Sequence, residues 1–212
     1  METENRAIGS SYVRKLGRSI KHNKFVTALF VAFLLSMLYG SFLISRIDNQ
    51  AVELLGFLTK EYVSLRAGQS LLETFLSSAL SSFSYLAILF LLGFFAIGQP
   101  LIFLVPVFRG FGLGITMGYL YSRYGLQAAG YCAVLIVPVA FFVALILINA
   151  AKDSLKMANL FLLPMVKENY PMLTPEAAKI YLLKYFIYGL MTLGACILDA
   201  LLNFLFSGFI VL

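Results

Sequence analysis

At 212 residues the chain has the length of one ordinary domain, yet 61% of it is hydrophobic and only 12% charged, with a mean hydropathy of +0.90. A water-soluble globule carries about a quarter charged residues, and a chain this short cannot hide so much apolar surface from water; lipid is the solvent that resolves the conflict. The excess of 16 Lys and Arg over 10 Asp and Glu sits beside apolar segments, so it speaks for membrane topology rather than nucleic-acid binding.

Residues 1–24 form a basic tail, with Arg6, Arg14, Lys15, Arg18, Lys21 and Lys24 against Glu2 and Glu4. Tyr12, Val13, Leu16 and Ile20 recur at helical spacing. Residues 10–24 therefore read either as an amphipathic helix on an anionic leaflet or as a solvated tail. Phe25–Ile44 follows without a charge. It is long enough to cross a hydrocarbon core of about 30 Å and too long for a signal-peptide core, so 25–44 is the first expected span.

Residues 45–78 are mixed and carry Glu53, Lys60, Glu61 and Arg66. From Leu72, apolar residues recur at a 3.6-residue period through Leu76, Ala79, Leu80 and Phe83. The polar side holds Ser77, Ser78, Ser81, Ser82 and Ser84, a pattern that predicts an interfacial helix leading into the next span. Thr74–Ser122 then contains a single charge, Arg109. One helix of that length would overshoot a bilayer, so two spans are expected, near 79–98 and 103–122. Gly98-Gln99-Pro100 and Pro106 are the breakers between them, with a turn at 106–110 as the alternative.

Leu126–Ala151 is uncharged and gives the fourth span, in which Pro138 predicts a kink. Residues 152–184 are polar, and Thr174-Pro175-Glu176 reads as an N-cap, a first-turn proline and an early acidic residue. A helix starting there leads into the fifth span, 185–210. The expected fold is thus all-α: a single membrane domain over 25–212. It forms a polytopic helical bundle of about five transmembrane helices, with a Pro/Gly-broken hairpin between the second and third. Placing the N-terminus inside puts 12 of the Lys and Arg residues on the inner side and 4 on the outer. This predicts a cytoplasmic tail, an external segment 45–78 and a cytoplasmic segment 152–184.

Three motifs stand out. Gly110, Gly114 and Gly118, followed by Ser122, form one smooth helix face. Such a face admits a second backbone, either a neighbouring span or the same face of a second copy in a homodimer. The Gly98-Gln99-Pro100 break with Pro106 is either an ordinary hairpin, with Gln99 satisfying loop backbone groups, or a broken-helix ligand site. Asp199 lies about 21 Å into the last span, with Asn203 one turn on and Arg109 as its natural ion partner. These three residues are read either as a structural polar clasp or as an ion or proton site. Arg109 lies only about 10 Å deep in this arrangement, which sets it apart from Asp199.

Catalysis finds little support. The single histidine, His22, lies in the basic tail, and no aspartate in another span pairs with Asp199. There is no phosphate loop ending in Lys-Ser/Thr and no carboxylate or Cys/His cluster for a metal. Cys132 and Cys196 lie in apolar runs and read as packing residues. No enzyme activity and no cofactor are expected.

Leu91-Leu92-Gly93, the Gly98-x-Pro100-Leu101 break and Phe108-Arg109-Gly110-Phe111-x-Leu113-Gly114 resemble the stage II sporulation protein M family. Asp199-Ala200-Leu201-Leu202 with Phe206-x-Gly208 is similar to its clostridial-type members. The resemblance covers most of 25–210. One departure is that many members carry His-Gly followed by Glu-x-Pro at the start of the fourth span, whereas here only Pro138 of that pattern stands. The resemblance implies a bacterial plasma-membrane scaffold that anchors cell-wall hydrolases and drives peptidoglycan remodelling during engulfment. Residues 45–83, with Glu53, Lys60, Glu61 and Arg66, are then the partner-binding segment. The alternative is a small transporter or permease-like subunit whose site combines Gln99, Pro100, Arg109 and Asp199.

Overall fold

The computed structural model describes residues 24–46, 71–95, 98–125, 128, 130, 132–166 and 175–206. They form five long helices: α1 (Lys24–Arg46), α2 (Leu71–Leu92), α3 (Gln99–Tyr124), α4 (Val137–Val166) and α5 (Pro175–Phe206). Each is long and apolar enough to cross a membrane. The protein is therefore a helical bundle of five such helices, with a Pro/Gly-containing turn between α2 and α3. The outward faces carry large apolar side chains such as Leu38, Leu80, Phe186 and Phe204, each about two-thirds exposed or more. Water would reject that surface and lipid accepts it. Glu53, Lys60, Glu61, Arg66 and most of the basic tail lie outside the described residues.

α4 is the centre of the bundle and touches each of the other four helices. Its sequence explains this: Val143, Ala144, Ile146, Leu147, Ile148, Ala150 and Ala151 are all buried, so the helix is apolar on nearly every face and has no side to give to a polar phase. Leu29, Leu86, Leu89 and Ile102 of the surrounding helices complete the main core around it.

α1 packs chiefly on α3, and the two run parallel. The glycine face is what brings them together. A Cβ added at Gly110 would lie 2.6 Å from the Phe33 carbonyl oxygen, and one at Gly118 would lie 2.9 Å from that of Ser41. A Cβ at Gly114 would fall on the Met37 carbonyl oxygen. Gly40 answers from α1, where a Cβ would come 2.6 Å from the Phe111 carbonyl oxygen. Close backbone approach of this kind substitutes dispersion for the hydrophobic drive that lipid does not supply. α1 fills the face, so the neighbour at Gly110, Gly114 and Gly118 is a span of the same chain, the first of the two alternatives. Ser122 is exposed, off the contact.

The break between the second and third spans also differs from the sequence expectation. α2 ends at Leu92 and the turn follows at once; α3 starts at Gln99 rather than 103, with Pro100 in its first turn. A proline is tolerated there because that N–H has no intrahelical partner. Pro106 lies inside α3 and is buried, so the alternative turn at 106–110 does not form. α3 closes at Gly125, whose φ of 58° is open to glycine and whose N–H donates to the Tyr121 carbonyl at 2.9 Å. α2 also starts earlier than the expected span, at Leu71, so the segment read as interfacial and the second span are one helix.

Pro138 produces a different feature from a mid-span kink. It sits at the second residue of α4, preceded by a π turn over Cys132–Ile136. A proline lacks the donor for the preceding turn and its ring crowds the carbonyl four residues back, and a wider turn relieves both. The polar stretch 152–184 is largely helical: α4 continues to Val166 and α5 begins at Pro175. At 30 and 32 residues these helices are about 45 Å long, so their joined ends extend beyond a hydrocarbon core of about 30 Å.

The glycine contact is directly testable. Gly114→Ala should lower stability by about 1–3 kcal/mol, the usual cost of overpacking. Gly194→Ala, where an added Cβ meets nothing within 4 Å, should be neutral or slightly stabilising. Unfolding of both variants in detergent, followed by circular dichroism, measures the difference.

Candidate functional site

Polar side chains inside the bundle gather at two levels. The first surrounds a cavity of about 270 Å³ between α2, α3, α4 and α5. One wall is a serine stripe on α2, Ser77, Ser78, Ser81 and Ser82, continued by Tyr85. These residues recur at i, i+1, i+4, i+5 and i+8, which places them on one helix face. α3 contributes Arg109, Gly112 and Thr116, and α5 contributes Asp199. Val139, Ala140 and Val143 of α4 form the apolar floor. Of the serines expected at a membrane interface, Ser78, Ser81 and Ser82 are thus turned into the bundle, whereas Ser77 is exposed at the edge of the cavity. Ser84 is exposed as well and returns its hydroxyl to the Leu80 carbonyl at 2.7 Å.

Arg109 is held but not saturated. Its Nη1 donates to Ser81 Oγ at 3.1 Å, and the guanidinium lies 5.1 Å from the centre of the Tyr85 ring, a cation–π distance. Its Nε is buried and makes no hydrogen bond. The Ser82 hydroxyl, on a residue only 1% exposed, also has no hydrogen-bond partner. Leaving such donors unpaired costs about 1–3 kcal/mol each. Asp199 is buried on the facing helix. Arg109 and Asp199, set at different depths by the sequence reading, line the same cavity. Asn203, also buried, donates instead to Thr74 Oγ1 at 3.4 Å and ties the end of α5 to the start of α2.

The second level lies toward the end of the bundle where α1 begins. Asp153 of α4 is buried and accepts from Lys184 Nζ at 2.9 Å and from Tyr188 OH at 2.7 Å, with Lys156 Nζ at 3.6 Å. The next residue, Ser154, is hydrogen-bonded to the Tyr185 hydroxyl and lies 3.3 Å from that of Tyr181. Tyr181 OH donates on to the Phe90 carbonyl at 3.0 Å, one of the orphan acceptors at the end of α2. Gly93 leaves the space that this hydroxyl occupies. The rings of Phe90, Phe94, Tyr181 and Tyr185 stack or meet edge to face, with centroids 4.8–5.5 Å apart. Gln99 does not serve the turn backbone. Its Nε2 donates to Asn159 Oδ1 at 2.7 Å and pins the start of α3 to α4.

The two levels differ in kind. At the Asp153 level donors and acceptors meet one another, and the result is a closed clamp between α4, α5 and the end of α2. At the Arg109 level donors converge on open volume. That second arrangement can hold a small polar molecule beside Arg109 and the serines, which would donate to it. Among the described residues no group of three His, Cys, Asp or Glu side chains is placed to hold a metal ion.

The sequence reading singled out Arg109, Asp199 and Gln99. Asp153 and Tyr181 fall in 152–184, which reads as a polar segment outside the bilayer, and nothing in the hydropathy of the fifth span sets Tyr185 and Tyr188 apart from its other aromatic residues. The signal was present: Tyr181, Tyr185 and Tyr188 recur at i, i+4 and i+7, one face of a helix. Comparisons with protein-family models, with curated proteins and with solved structures return no match.

The clamp predicts unequal effects. Asp153→Ala should cost about 2–3 kcal/mol, because it leaves the Tyr188 hydroxyl and a partly shielded ammonium unpaired. Lys156→Ala, with its side chain 62% exposed, should change stability by less than about 0.5 kcal/mol. Thermal unfolding of the two variants in the same detergent separates them.

Proposed function

We propose that this protein is a non-catalytic, permease-like membrane subunit that binds a small polar solute inside its helical bundle. It would sit in a bacterial plasma membrane with its N-terminus cytoplasmic. The observation that carries the reading is the polar cavity itself, with Arg109 offering an unpaired Nε and Ser82 an unpaired hydroxyl beside it. A purely structural clasp consumes its donors, as the Asp153 clamp does. Ionisable residues at membrane depth are costly, by about 2.5–3.5 kcal/mol on insertion scales, and are retained where they serve a pathway or site. A volume of about 270 Å³ suits a metabolite of a few heavy atoms rather than a drug-sized ligand. The helix break at Gly98-Gln99-Pro100 belongs to the packing of α3 on α4 in this reading and takes no part in binding.

A second reading rests on the sequence resemblance to the stage II sporulation protein M family. It is a membrane scaffold for peptidoglycan remodelling that recruits cell-wall hydrolases through the external segment bearing Glu53, Lys60, Glu61 and Arg66. The cavity has no part in that role, so the two readings diverge experimentally.

The test is water access. In a background lacking Cys132 and Cys196, single cysteines at Ser78 and Thr116 should react with a small membrane-impermeant thiol reagent in intact vesicles. A cysteine at the lipid-facing Leu80 should not. If the cavity cysteines stay unlabelled while cysteines at positions 53, 60 and 66 cross-link a hydrolase in the native host, the scaffold reading stands instead.

A further inference from the structure

The walls of the cavity narrow the solute it takes. Resting on the solute-binding reading of that cavity, we infer that its ligand is uncharged: a small polyol or amide whose oxygen accepts from Arg109 Nε and the Ser82 hydroxyl.

Three observations carry this. The first is charge. Arg109 and Asp199 are the charged side chains among the lining residues, and their formal charges cancel. Asp199 already has an interaction partner within the protein, so its carboxylate awaits no counter-ion. Arg109 has Nη1 on Ser81 and its guanidinium 5.1 Å from the centre of the Tyr85 ring. A ligand with a net charge would bring an uncompensated charge into a poorly solvated space, which is costly, whereas an uncharged one leaves the balance as it stands. The second is the hydrogen-bonding capacity left over. Arg109 Nε is buried without a hydrogen bond, and so is Ser82 Oγ, on a residue 1% exposed. Both can donate to a ligand oxygen. Ser78, Ser81 and Thr116 stand around the same space. Thr116 Oγ1 gives its proton to the Gly112 carbonyl at 3.0 Å and keeps lone pairs that accept. Donors and acceptors side by side suit an alcohol or an amide, each of which offers both. The third is the floor. Val139, Ala140 and Val143 offer no polar side chain, so the carbon frame of the ligand is short and lies there.

Protection of a cavity cysteine from alkylation tests this. Ser78→Cys, in the full chain lacking Cys132 and Cys196, is purified in detergent and treated with iodoacetamide, a small uncharged reagent. Glycerol, acetamide, sodium methanesulfonate and guanidinium chloride are titrated at constant ionic strength. Lys156→Cys, at a side chain 62% exposed, reports any effect of the solutes on the reagent itself. Glycerol or acetamide should slow alkylation of the cavity cysteine saturably and leave Lys156→Cys unaffected. Methanesulfonate and guanidinium should need at least about tenfold higher concentrations, since each buries a net charge. Protection by glycerol alone assigns a polyol, and protection by acetamide alone assigns an amide. Adding Ser82→Ala should weaken protection about fivefold, the worth of one neutral hydrogen bond. Removing an unpaired buried hydroxyl leaves stability unchanged or improved, so a folding defect does not obscure that result.

Protection by methanesulfonate or guanidinium at concentrations as low as those of the uncharged solutes would overturn the uncharged class while leaving a solute cavity. So would a cavity cysteine that is alkylated readily and protected by none of the four, or protection unchanged by Ser82→Ala. A cavity cysteine that is not alkylated at all would remove the solute-binding reading as well.

Discussion

A polar group inside a hydrocarbon phase has to find its partner within the protein, and this constraint orders the whole bundle. α4 is central because it has almost no polar side chain to hide over its first half, and it touches each of the other four helices. Ser78, Ser81 and Ser82 of α2, Arg109 of α3, and the tyrosine face and Asp199 of α5 point inward, whereas Leu38, Leu80, Phe186 and Phe204 cover the outside. The same rule makes a polar group that lacks a partner informative. At the Asp153 level the rule is obeyed fully and the result is rigid. At the Arg109 level it is obeyed in part, and the unpaired donors face open volume.

The packing that holds these levels in place is divided between two devices. α1 and α3 meet through backbone proximity at Gly40, Gly110, Gly114 and Gly118, with Phe33 and the stacked Tyr39 and Phe111 rings packed beside it. α2 and α5 meet through aromatic rings at one end and through the Thr74–Asn203 hydrogen bond at the other. Interhelical hydrogen bonds in membranes average only about 0.6 kcal/mol, so the Asn203 contact contributes more to register than to stability. The α1–α3 pair presents Arg109 from a helix that cannot rotate without clashing at Met37, and this fixes the direction from which the guanidinium enters the cavity.

The bundle itself was legible in the sequence, because uncharged runs longer than a bilayer leave few alternatives. Five spans and the inward glycine face follow from hydropathy and spacing. The helix ends were less legible. Charge was the marker used to end a span, and it misplaced the boundary wherever a charged residue is buried by its partner. Asp153 and Lys184 neutralise one another, so α4 and α5 run on through a stretch that reads as polar. Pro100 and Pro106 look alike in sequence, yet one begins a helix and the other is carried within it. The difference lies in whether the preceding turn has neighbours to hold it, and Ile102 and Pro106 are both packed tightly in the core. The serine stripe was recognised but assigned to an interface, because periodicity gives the face of a helix and not what the face meets.

The central claim is that the partly satisfied polar level is a working site and not an incomplete clamp. Swelling of proteoliposomes in solutions of small polar solutes tests it most directly, with the wild-type chain set against Thr116→Trp, which fills the cavity. The account predicts solute entry through the wild-type chain that Thr116→Trp blocks, with the variant still folded. Entry unaltered by Thr116→Trp, or no entry through a wild-type protein that is correctly folded and inserted, would contradict it.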